Sequence, residues 1–178
     1  MISKSRQSLV VKGENNMNLE FIYYALGYVY SVWIGHLLLL SFSRKAWSAL
    51  GEIPKNKKDM PYRWTSSLAG MIDRIIYISS FLFAAKEFIA VWLAIKVAVQ
   101  WKRWEDTKDL GKARASFHIF LIGTGLSLMY GVIGGLLVEW LKNANYIFAT
   151  VFPIMLILLN LYFIKVAEIN SISKGEKN

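Results

Sequence analysis

The chain has 178 residues, 55% of them hydrophobic, with a mean hydropathy of +0.37 and a formal net charge of +9. That apolar content over-fills the core of a soluble domain this size and comes in long blocks, so the reading is an all-α integral membrane protein. The lack of cysteine excludes disulfides, iron–sulfur clusters and thiolate zinc sites, and the positive charge sits beside apolar blocks, where it meets anionic lipid rather than nucleic acid.

Residues 1–16 read as a disordered tail. Lys12-Gly13-Glu14 can be encoded by AAAGGAGAA, which resembles a bacterial ribosome-binding site a few codons ahead of Met17. Translation is therefore expected to begin at Met17, which the intact mass of natively expressed protein decides. No cleavable signal peptide is visible, because the first span is long and lacks a small-residue cleavage pattern. A single transmembrane domain is expected over 17–168, with a cytoplasmic polar tail at 169–178.

The first span, 19–42, carries Gly27, Ser31 and Gly35 at intervals of four. A basic segment follows: Arg44, Lys45, Lys55, Lys57, Lys58 and Arg63 stand against Glu52 and Asp59. Next comes an apolar stretch from Leu68 to Trp101 that holds Asp73, Arg74, Lys86, Glu87 and Lys96. As one helix, at ~1.5 Å per residue, it would overshoot a hydrocarbon core of ~30 Å. It would also leave charge in lipid, at a cost of several kcal/mol. Folding back near Ala84-Ala85-Lys86-Glu87 makes two spans, 66–83 and 88–104, and brings Asp73 and Arg74 level with Lys96. The turn holds no glycine or proline, and the span after it is short.

Beyond a second basic segment (Lys102, Arg103, Lys108, Lys112 and Arg114 against three acids) lie spans four, 115–141, and five, 146–166. Span four repeats the small-residue interval with Gly123, Ser127, Gly131 and Gly135. Such stripes let backbones approach closely in lipid, so spans one and four are expected to pack face to face; a homodimer seam is the alternative. In span five Pro153 removes a helical hydrogen bond, and Pro153 and Asn160, seven apart, share a face expected to turn inward.

Basic loops collect on the cytoplasmic side, so both basic segments belong there. That gives five spans, two of them a tight hairpin, with the N-terminus outside and the C-terminus inside. Trp47, Trp64, Trp101 and Trp104 all fall at the same inner interface, independently of charge. On this topology His36, Asp73, Arg74, Lys96 and Asn160 occupy the cytoplasmic half and form a candidate polar pocket. For Asp73, Arg74 and Lys96 an ion-pair network holding the hairpin and a ligand site are both open readings. Asp73 neutralises one cation, and the excess positive charge suits a lipid phosphate unless Arg74 snorkels to the interface. His36 alone is more often a hydrogen-bonded helix contact than a ligand, and His36 with His118 makes no zinc site.

No phosphate-cradling glycine loop, nucleophile elbow or paired acidic motif is present. The expectation is a multi-pass protein of the bacterial cytoplasmic (inner) membrane, a non-enzymatic component or accessory subunit with no catalytic residue, cofactor or metal. Its expected partners are anionic lipid headgroups and a membrane protein or second copy, not nucleic acid. A small ion or solute transporter using Asp73, Lys96 and His36 is the alternative, and a lipid-modifying enzyme the second.

Overall fold

The computed structural model describes residues 17–50, 63–105 and 110–175, all but the turn residues 83–85 and 143–145 in helices. The expected N-terminal tail, most of the first basic segment and part of the second lie outside the described residues. Helix α1 contains the apolar span Met17–Ala49. It includes a π-helical turn, Val29–Ile34, and closes with the α segment Gly35–Leu50. Then come α2 (Arg63–Leu82), α3 (Lys86–Glu105), α4 (Leu110–Lys142) and α5 (Tyr146–Gly175). No strand occurs among the described residues.

Three helices are long and apolar enough to cross a membrane: those containing Met17–Ala49, Ala113–Lys142 and Tyr146–Asn170. Helices α2 and α3 fall short of that by composition, because they hold the charges of the 68–101 stretch. At the far end, α5 continues as helix to Gly175, past the start of the expected tail at 169.

The 68–101 stretch breaks at Phe83–Ala85, and it does so without glycine. Ala84 takes the left-handed conformation (φ 57°) just past the end of α2. Ala85 N–H then bonds Ser80 O at 2.8 Å and Ala84 N–H bonds Phe81 O at 3.2 Å. This is a Schellman cap, with the left-handed residue that glycine usually supplies. The α4–α5 turn repeats it: Ala144 has φ 56°, and Asn145 N–H reaches Trp140 O at 2.8 Å.

Side-chain contacts fix how the helices run. Near the start of α1, Glu20 and Tyr24 both meet Lys142 at the end of α4, each at 3.2 Å. Tyr28 OH is 2.7 Å from Ser79 Oγ, close to the end of α2. At the opposite end, Lys45 pairs with Glu168 of α5 at 2.5 Å, and the Phe42 and Phe163 rings lie 6.4 Å apart. Helix α1 therefore runs against α2 and α4 and alongside α5. With α3 turning back beside α2, the chain reverses direction at every connection.

The centre of the bundle is Tyr30, Phe42, Ala46, Leu126, Tyr130 and Leu156, contributed by α1, α4 and α5. Tyr30 stacks obliquely on Tyr130 at 5.6 Å and donates its hydroxyl to Pro153 O at 3.2 Å. Pro153, Leu156 and Asn160 are all buried, so the face they share does turn inward. Large apolar side chains such as Trp33, Leu37, Val91, Ile95, Ile154 and Leu158 point outward, while Ser31, Asp73, Arg74, Ser127 and Asn160 are buried. The outward apolar surface is what a lipid solvent accommodates, around a core that is itself mostly apolar with a few polar groups set into it.

The small residues of α4 divide between two partners, and Gly131 and Gly135 of the expected stripe go to α2 rather than to α1. Gly134 meets α1: a Cβ there would stand 2.8 Å from Ser31 Cβ and 2.9 Å from Gly27 O. Gly27 returns the contact, its Cβ position 2.7 Å from Gly134 O. Gly131 and Gly135 instead face Tyr77 and Phe81 of α2, and Gly123 has open space around it. Gly134 stands about 60° from Gly131 and about 100° from Gly135 around a helix of about 3.6 residues per turn, which turns it to a different neighbour. Gly27, Gly131, Gly134 and Gly135 are filled from within the chain, which leaves no homodimer seam at those positions.

Candidate functional site

Asp73 and Arg74 are adjacent on α2, about 100° apart around the helix, so they face different neighbours. Asp73, 5% exposed, looks toward α3. Its Oδ2 forms an ion pair with Lys96, and its Oδ1 accepts the indole N–H of Trp92 at 3.0 Å. Trp92 and Lys96 are four apart and share one face of α3. The ammonium also lies 5.8 Å from the centre of the Phe120 ring on α4. Both carboxylate oxygens are thus committed to donors on α3.

Arg74 turns the other way, into the bundle, and is 2% exposed. Gly35 makes this route available: a Cβ at Gly35 would lie 3.0 Å from both Arg74 Cδ and Tyr130 Cγ. Past Gly35 the guanidinium meets His36, with Arg74 Nη2 3.3 Å from Nδ1. Arginine can only donate, so Nδ1 accepts and the ring proton is on Nε2. Nε2 then donates to Ser67 Oγ at 3.2 Å. His36 is therefore a neutral imidazole with both nitrogens occupied, joining α1 to two turns of α2.

The polar layer continues across the bundle. Asn160 on α5, with 0% exposure, sits beside the Tyr130 hydroxyl but outside hydrogen-bonding geometry. Ser31 Oγ, Tyr77 OH, Ser127 Oγ, Tyr130 OH and both Asn160 side-chain atoms are buried with no hydrogen-bond partner among the described residues.

Of the five expected pocket residues, four form two linked pairs, Asp73 with Lys96 and Arg74 with His36. Asn160 is buried beside Tyr130, with no hydrogen bond to any of the other four among the described residues. His118 is exposed on α4 beside Phe117. Trp92 escaped the sequence reading, although a tryptophan away from both interfaces needs a partner for its N–H, and its place one turn before Lys96 names that partner. Tyr130 escaped it too, as an aromatic indistinguishable from core until Gly35 is seen to admit Arg74 beside it. No family model, curated protein or solved structure matches this chain.

Proposed function

We propose that this chain is a five-crossing protein of the bacterial cytoplasmic membrane, N-terminus out and C-terminus in. In this reading it serves as a non-enzymatic component or accessory subunit of a membrane system. The alternating direction of the helices supports the topology, because it returns both basic segments to one end of the bundle, where they meet anionic headgroups.

The observation that carries the functional reading is the commitment of the two candidate proton carriers. Asp73 has both oxygens, and His36 both nitrogens, bonded to neighbouring helices. An acid–base catalyst needs a free position within reach of its substrate, and an ion path needs groups that can release a partner. Groups fully used in joining α1, α2 and α3 suit a structural component better.

Cysteine labelling tests the topology, since the chain has none of its own. With an impermeant maleimide on intact cells, Ala85→Cys and Asn143→Cys label, while Lys57→Cys and Lys108→Cys label only after permeabilisation. Positions 57 and 108 labelling from opposite sides would overturn it. Native mass spectrometry of mild-detergent extracts tests the role: the expected spectrum shows a membrane-protein partner or second copy in fixed ratio. A bare monomer under every extraction condition would overturn it.

A further inference from the structure

Once Asp73 and Lys96 have neutralised each other, one charge remains in the polar layer. Arg74 is 2% exposed and cannot shed its proton in a protein. Among the described residues it forms no ion pair, its Nε has no hydrogen-bond partner, and its bonded neighbour His36 is neutral. A buried cation left in that state is costly enough that a native site supplies it with an anion.

The arrangement around Arg74 indicates which anion. Ser67, Gly70 and Arg74 follow at intervals of three and four, so they share one strip of α2. Arg74 Nη1 lies over Gly70, at 3.6 Å from the position a Cβ would take. The free edge of the guanidinium is therefore directed back along α2 toward Arg63. Ser67 Oγ accepts from His36 Nε2, which leaves its own hydroxyl hydrogen available to donate on that strip. The Arg74 guanidinium and the Ser67 hydroxyl are held on the two nitrogens of one imidazole, which brings both donors to one tetrahedral oxyanion, and the guanidinium fork favours phosphate over a single-point halide.

We propose that Arg74 and Ser67, on the strip of α2 where Gly70 leaves room for the guanidinium, form a seat for one phosphate-type anion, entered from the α2 start, with an anionic phospholipid headgroup or free phosphate as its source. This rests on the membrane reading above, in which that end of α2 is the cytoplasmic one. His36 acts as a positioning residue, holding the guanidinium and orienting the Ser67 hydroxyl.

The test uses the full chain purified in mild detergent and offered phosphatidylglycerol, phosphatidylcholine or inorganic phosphate. Native mass spectrometry counts retained lipid, and thermal unfolding followed by tryptophan fluorescence reports the stabilisation each probe gives. One phosphatidylglycerol per chain is expected to survive activation that strips other lipids. Arg74→Gln should weaken it about tenfold or more, the loss of a charge-assisted hydrogen bond, and Arg74→Lys should restore part of it. Stabilisation by inorganic phosphate alone, lost in Arg74→Gln, supports the seat and assigns the source as soluble phosphate. Should Arg74→Gln fail to fold, Ser67→Ala keeps the test alive, with a several-fold weakening expected. Equal retention of phosphatidylglycerol by wild type and either variant, together with equal stabilisation of both by inorganic phosphate, overturns the seat, because the basic segments that bind lipid non-specifically are intact in both. Failure of the topology appears in the cysteine labelling pattern whatever the lipid count, so the two outcomes separate.

Discussion

Gly134→Ile leaves no folded protein, whereas Gly123→Ile folds as the wild type does: that is the expected outcome of unfolding each in detergent and following tryptophan fluorescence. At Gly134 the first added carbon already meets Ser31 Cβ at 2.8 Å, Gly27 O at 2.9 Å and Ile78 Cδ1 at 3.1 Å. One of these is backbone, so no side-chain rotation relieves the clash and α1 must move off α4. Overpacking alone costs about 1–3 kcal/mol, and here the separation also removes the close backbone contacts that hold helices together in lipid. Gly123 meets nothing within 4 Å, and a substitution there stays within about 0.5 kcal/mol. Equal midpoints for the two variants would mean that α1 and α4 do not cross at Gly27 and Gly134.

The second large effect is expected at Asp73. Asp73→Leu strands the Lys96 ammonium and the Trp92 N–H together, with the Phe120 ring left facing the charge. Removing one partner of a buried pair costs about 3–5 kcal/mol, since the survivor keeps its desolvation penalty. Lys96 is 21% exposed along its side chain and can relax toward solvent or headgroups, which places this pair at the low end. Replacing both, Asp73→Leu with Lys96→Leu, should recover most of the loss, and a double-mutant cycle in urea or sodium dodecyl sulfate measures it. If the double variant is as unstable as Asp73→Leu, the carboxylate supports something other than Lys96. A transporter predicts a different pattern: the double variant folds normally but has lost all flux.

How much of this was legible in the sequence differs from residue to residue. That the stretch from Leu68 to Trp101 must break follows from length against bilayer thickness, and the level meeting of Asp73 with Lys96 follows from reflection about the break. What holds the turn does not follow, because a left-handed alanine is a local strain that only the completed Schellman hydrogen bonds explain. The divergence of Asp73 and Arg74 was implicit in their adjacency, since neighbours on a helix cannot share a face. Where Arg74 ends was not, because it depends on Gly35, read from sequence as one more packing glycine. The α4 stripe shows the same limit. A four-residue interval marks small residues without saying which neighbour each will meet, and Gly134, outside the stripe, makes the closest approach to α1.

The π turn at Val29–Ile34 closes with Gly35 N–H bonded to Tyr30 O, five residues back. Counted along its axis, α1 holds one residue more than an uninterrupted α-helix would, and that surplus sets the phase of everything below it. Above the turn Gly27 is locked to Gly134; below it Gly35 gives Arg74 its passage and His36 its bond. Loss of one residue from the turn would rotate the lower half of α1 by about 100° while the upper half stayed clamped. Gly35 and His36 would both leave the guanidinium's reach without any change in their identity. In this bundle a one-residue deletion in α1 is a change of chemistry, and a chain lacking the surplus residue would have to place its buried cation differently.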